Sequence, residues 1–168
     1  MTAVSWYIYR GHFGKLPRSF TRVAERETNM AYRSADNQAW SGMPFVIGQI
    51  INLSNNHTCK GVKGVFYDIC DELAGEHPKE FKFVGWHPHC RCFVTAKLAD
   101  YDEMNRWSAM SEEEKANYVF KGTVKDVPEG YKKWMADNAK RIAKAKSMPY
   151  FIKDNIKYAE EATGMKLE

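Results

Sequence analysis

The sequence predicts an α+β fold: an N-terminal helix, a small antiparallel sheet carrying a Cys/His-rich insert, and a helical C-terminal tail. Three observations carry this. A long helical-spaced stretch lies before residue 41, short β-branched or alternating runs bracket a cluster of cysteines and histidines, and capping signals recur beyond residue 100. With 168 residues, 44% of them hydrophobic and 27% charged, the chain has enough apolar material for a packed core. The expected division is a domain over residues 1–99 and a helical extension over 100–168.

Residues 1–18 read as irregular, because Gly11, Gly14 and Pro17 break any period. A helix is predicted from Ser19 to Trp40. Phe20, Val23, Ala24, Met30, Ala31 and Ala35 form its expected core stripe, and Gly42 and Pro44 end it. Glu27 lies near that stripe. It either skirts the core or serves as a buried polar anchor, since a carboxylate inside must be paired.

Phe45 to Leu53 reads as a strand, followed by a Ser54-Asn55-Asn56-His57 turn and a loop with Gly61 and Gly64. A short helix is predicted over Asp68–Ala74, capped by Asp68 and stopped by Gly75. Phe81–Val84 and Cys92–Ala96 read as strands, the second a partner for 45–53. Ser111 with Glu114 predicts a capping box and a helix to about Val119. Asp126 with Glu129, and Pro128 in the first turn, predicts another helix whose face is Tyr131, Trp134, Met135, Ile142 and Ala145. Ser147-Met148-Pro149 ends it, and 149–158 reads as one more short helix.

No apolar run reaches the roughly 18 residues of a membrane span, and Met1–Gly14 lacks the pattern of a secretory leader. The expectation is therefore a protein folded in a reducing cytoplasm. The net charge is +4, and residues 121–168 hold eleven Lys or Arg against seven Asp or Glu. That excess reads either as a solvated helix face or as contact with DNA or an acidic partner.

The chemistry-bearing residues are His57, Cys59, Cys70, His87, His89, Cys90 and Cys92. In a cytoplasmic chain such a cluster favours metal over disulfides. Zinc takes four thiolate or imidazole ligands in a tetrahedron. Cys70, His87, Cys90 and Cys92 are the first choice, with Cys59 in reserve. Trp86 and Phe93 are expected to wall the site from water. Packed or disulfide-bonded thiols and a catalytic metal are the alternatives. The His-x-Glu with Pro-Cys-x-x-Cys of zinc deaminases is missing, as are HExxH, a phosphate-binding Gly-rich loop and GxSxG. No catalytic residue is assigned, and no small-molecule substrate is expected.

Four stretches are similar to the recurring text of the phage Mu F-like minor head proteins over about residues 20–96. They are Arg22-Val23-Ala24-Glu25-Arg26-Glu27, Asn55-Asn56-His57-Thr58-Cys59, Cys70-Asp71-Glu72-Leu73-Ala74-Gly75 and His87-Pro88-His89-Cys90-Arg91-Cys92. The last is the most specific. Glu25 departs from the family pattern, which has a second Arg there. The run from Trp134 to Asn155 resembles tails of Bacteroidetes-type prophage members. The resemblance implies a non-enzymatic head-morphogenesis protein of the virion, assembled in the host cytoplasm, with capsid or portal proteins and packaged DNA as partners. The rival expectations are a zinc-bearing nucleic-acid-binding module and a small metal-dependent nuclease or other effector.

Overall fold

The computed structural model describes residues 18–54, 67–88 and 90–167, less the side chains of residues 18–22 and 25. The expectations for residues 1–17, for the turn and loop from Asn55 to Gly64, and for His57, Cys59 and His89 lie outside the described residues. Among the described residues the architecture is α+β, with seven helices, a three-stranded antiparallel sheet and a helical C-terminal region. In chain order the elements are α1 (Arg18–Ser41), β1 (Val46–Asn52), α2 (Ile69–Leu73), β2 (Gly75–His77), β3 (Phe93–Leu98), α3 (Tyr101–Ser108), α4 (Glu112–Asn117), α5 (Glu129–Ala143), α6 (Tyr150–Lys153) and α7 (Ile156–Thr163).

The sheet order is β2-β1-β3. β1 is central and buries Val46, Ile47, Gln49 and Ile51. It pairs with β3 as expected, with Ile51 opposite Val94 and Gln49 opposite Ala96. A three-residue strand at Gly75–His77 holds the other side of β1.

Phe81–Val84 is not a strand: Phe81 and Phe83 are buried about exposed Lys82, but Val84 is buried as well and breaks the alternation. Side chains, rather than a neighbouring strand, satisfy its backbone. Asn37 and Gln49 donate to the Phe81 carbonyl. Arg33 donates to the Val84 carbonyl at 2.7 Å. Asn155 accepts from the Lys82 N–H at 2.7 Å and donates to its carbonyl at 2.9 Å, copying the two bonds of a strand pair.

α1 has the predicted span but a different inner face. Val23, Ala24, Ala31 and Ala35 are exposed, while Met30, Arg33, Asn37 and Trp40 are half-buried. These four recur at i, i+3, i+7 and i+10, a single helical row. Glu27 is no buried anchor: it is exposed and pairs with Arg26 at 2.7 Å. Arg33 and Asn37 hold the helix instead, because the irregular 79–92 segment offers carbonyls that need donors.

One core cluster draws on residues before and after position 100. It contains Ile51, Cys70, Leu73, Phe81, Phe83, Trp86, Cys90 and Cys92 together with Tyr131, Met135, Ile142, Phe151, Ile152 and Tyr158. α5 and α7 close over the cysteine-bearing segment. Ala139 occupies the buried face of α5, whereas Ala145 is exposed. A smaller cluster of Ile47, Ala99 and Phe120 seats α3 against the sheet.

Asp68 caps α2 as predicted, accepting from the Cys70 N–H at 2.7 Å, and Asp71 completes a capping box. The Ser111–Glu114 box also forms. Its helix stops at Asn117, because Tyr118 turns extended and its hydroxyl donates to buried Glu103 at 2.9 Å. The expected box at Asp126–Glu129 does not form: Pro128 is the N-cap, and Asp126 accepts from the adjacent Val127 N–H and pairs with Lys132 at 2.6 Å. The single helix expected over 149–158 is two helices, broken at Asn155, whose amide is committed to Lys82. Tyr101–Ser108, capped by Asp100, is a helix that the pattern reading missed. Among the described residues no helix is long and apolar enough to cross a membrane.

Candidate metal centre

Cys70 sits in the first turn of α2, where the Asp68 cap fixes its backbone and directs the side chain into the core. Cys90 and Cys92 lie just before β3. A turn with the Cys90 N–H donating to the His87 carbonyl at 3.1 Å sets their start. The Arg33 guanidinium, stacked 4.9 Å above the Phe83 ring, donates to the carbonyls of Val84, Cys90 and Cys92 at 2.7, 3.1 and 2.6 Å. α1 thus holds the segment that carries the thiols.

The sulfurs of Cys70, Cys90 and Cys92 all lie within 4.8 Å of one another, and all three residues are buried. The Cys70 and Cys90 sulfurs are 3.9 Å apart. Two thiolates bound at about 2.3 Å to a tetrahedral zinc would stand about 3.8 Å apart. Cys70 Sγ is also 3.1 Å from His87 Nε2. The other ring nitrogen, Nδ1, is 2.7 Å from the Pro88 carbonyl, which can only accept. Nδ1 can therefore donate to that carbonyl, which fixes the ring with Nε2 turned toward the thiols. Asp68 Oδ2 is 3.5 Å from Nε2, so Asp68, Cys70 and His87 make a second triad sharing Cys70. Cys70, Cys90, Cys92 and His87 sit close enough to hold a metal ion.

The electrostatics suit a cation. Cys90 is pulled down to about 2 by hydrogen bonds from the Cys70 and Cys92 thiols, against the opposing effect of burial, with the peptide N–H groups of Trp86 and Cys92 adding to the pull. Cys70 is pushed up by its hydrogen bonds to Cys90 and Cys92 and by burial. At Cys92 the Cys70 hydrogen bond lowers the value, but the Cys90 hydrogen bond, burial and the Cys90 charge outweigh it and raise it to about 12. Three thiols crowded together hold their negative charge poorly unless a cation shares the site.

Of the sequence-predicted ligands, the fold brings together Cys70, His87, Cys90 and Cys92; Cys59 is outside the described residues. Trp86 is buried in the same cluster, but Phe93 is half exposed on the open face of the edge strand β3 and does not wall the site. The cluster ties α2 to the segment leading into β3. β1 and β3 are joined by their own ladder. Arg33 is the supporting residue that the sequence reading missed. Its signal was its place in the Met30–Arg33–Asn37–Trp40 row.

Comparison with known proteins returns nothing: no family model, no curated protein and no solved structure matches the chain.

Proposed function

We propose that Cys70, His87, Cys90 and Cys92 hold one structural zinc ion, and that the chain is a non-enzymatic minor head protein of the Mu F type, docking onto capsid or portal subunits. The observation that carries the metal reading is the packing of three buried thiols within 4.8 Å, with a histidine nitrogen 3.1 Å from one of them. Four protein donors make a closed site, the arrangement of structural rather than catalytic zinc. A thiol–imidazole pair can also serve a cysteine nucleophile. Here Cys70 is 1% exposed and its sulfur abuts a second thiol, which favours a structural role.

The head-protein reading is supported by the His87-Pro88-His89-Cys90-Arg91-Cys92 text. The cysteines of that text are the ones that gather here with Cys70.

Two experiments test the two halves separately. Elemental analysis of protein purified without chelator should find one zinc per chain, and less than about 0.2 would reject a stable site. Co-sedimentation with capsid or portal subunits should place the protein in assembled particles, and recovery only from the free soluble fraction would sink the virion reading.

A further inference from the structure

β3 is the last strand in the order β2-β1-β3, and no other described element runs alongside it. The Ala99 N–H donates to the carbonyl of Phe45, just before β1, at 2.9 Å. Residues of an antiparallel pair alternate in the direction of their backbone groups. Phe93, Thr95 and Lys97 therefore turn theirs to β1, while Val94, Ala96 and Leu98 turn theirs outward. The irregularity between Val46 and Gly48 lies in β1 and leaves this alternation intact. Among the described residues nothing pairs with the outward row. It begins at Val94, because Arg33 already occupies the Cys92 carbonyl at 2.6 Å.

The devices that usually guard a sheet edge are missing from this one. β3 has no proline, and its single charge, Lys97, reaches across β1 to Glu76 of β2 at 2.6 Å. Phe93 and Leu98 are 49% and 55% exposed. The groove between α1 and Phe93–Val94 is open, so α1 does not seal the start of the strand. The opposite edge is managed differently. β2 has three residues, Pro78 follows it, and beyond its end the Val124 N–H takes the Ile47 carbonyl at 2.8 Å.

We propose that a second copy of this chain pairs with β3 edge to edge, antiparallel about a two-fold axis at Ala96. Val94, Ala96 and Leu98 are symmetric about that residue. This register alone joins each of the three to an outward residue of the other copy: Val94 to Leu98, Ala96 to Ala96 and Leu98 to Val94. Three such pairs exchange about six hydrogen bonds. Leu98 is covered by Val94 of the second copy, an apolar cross-strand pair. The strand ends are complementary in charge. Exposed Arg91 falls opposite Tyr101 of the second copy, between exposed Asp100 and Asp102. The two-fold axis makes each of these contacts twice. A foreign strand would have to supply the spacing and charge that this chain already carries. The pairing does not depend on the metal centre or on the head-protein reading.

Sedimentation velocity of the purified chain over a concentration series, read together with amide hydrogen exchange, tests it. One ladder buries less than the roughly 1,200–2,000 Å² of a stable interface, so the Kd should be on the order of 10–100 μM. As the dimer forms, exchange should slow at Val94, Ala96 and Leu98 and stay unchanged at Thr95 and Lys97, whose N–H groups already face β1. Leu98→Lys restores a guard and counts twice in a two-fold dimer, so it should weaken association about tenfold or more. The position is exposed, so the thermal midpoint of that variant should match the parent's. Ala96→Pro removes the central outward N–H and should abolish the dimer. A monomer at every concentration, a dimer unchanged by Leu98→Lys, or protection of those amides only when capsid or portal subunits are added would overturn the proposal, the last by assigning the edge to a foreign strand.

Discussion

The Arg33 guanidinium donates to the Cys92 carbonyl at 2.6 Å and, through the same planar fork, to the Cys90 carbonyl at 3.1 Å. A side chain of the N-terminal helix thereby sets the backbone of two of the three clustered thiols. Arg33→Ala should leave three carbonyls short of a donor and cost about 2–4 kcal/mol. If the thiols hold zinc, affinity should fall roughly 10- to 100-fold, as for other outer-shell losses. Denaturant midpoints and competition with a chromophoric chelator measure both. Arg33→Lys should recover only part, since an ammonium lacks the fork. Wild-type behaviour in Arg33→Ala would remove the residue from the site.

Cys90→Ser and Cys92→Ser should each reduce bound zinc to below about 0.2 per chain, whereas Cys59→Ser should keep it near one. Chelation of the parent should lower stability by about 4 kcal/mol relative to free zinc at roughly a thousand times Kd. Full metal content in Cys90→Ser would exclude the proposed ligand set.

His77 predicts an acid sensitivity of its own. Burial lowers its imidazole from 6.5 to about 4, against a raising hydrogen bond with the Gly75 carbonyl. The unfolded chain therefore takes up a proton at higher pH than the native chain does. The stabilisation from a neutral His77 is complete above about 6.5 and is lost as pH falls toward 4. The shift amounts to about 3 kcal/mol. Urea midpoints across this window, in the presence of chelator, should flatten in His77→Asn. An unchanged slope would assign the sensitivity to other groups.

Gly130→Ala should destabilise the protein. A Cβ at Gly130 would run into the Glu72 carbonyl oxygen, where α5 meets the end of α2. In an open helix the same change would stabilise by about 0.5–1 kcal/mol. Here overpacking against backbone should cost roughly 1–3 kcal/mol. A higher denaturation midpoint in the variant would show that the two helices do not approach this closely.

Tyr131→Phe should be neutral or mildly stabilising. The Tyr131 hydroxyl is buried with no hydrogen-bond partner among the described residues, as are Trp86 Nε1 and His77 Nε2 in the same aromatic cluster. Burial also pushes its phenol well above the usual range. Removing an unsatisfied buried hydroxyl spares its desolvation cost. A loss above about 1 kcal/mol would mean that the hydroxyl has a partner.

Elements written in local chemistry were read correctly from the chain. The span of α1, the strand at Val46–Asn52, the Asp68 cap and the Ser111–Glu114 box each depend on residues within a turn or so of one another. The choice of Cys70, His87, Cys90 and Cys92 followed from donor type, and the fold brings them together. Composition alone also marked the basic C-terminal third.

Contacts between distant segments were not readable in the same way. Alternation in Phe81–Val84 correctly placed its rings inside, yet side chains from α1, β1 and the Asn155 turn took the places of a partner strand. The apolar stripe of α1 pointed to Val23 and Ala31, while the row that docks contains Arg33 and Asn37. Arg33 meets carbonyls 51 to 59 positions away. Helical periodicity records which residues share a face, not which face will find unsatisfied carbonyls opposite it. Residue type and spacing therefore determined α1, α2, α4, the central strand and the donor set, while the break at Asn155, the inner face of α1 and the support behind the thiols were decided by long-range packing, because buried backbone groups must find partners wherever the chain brings them.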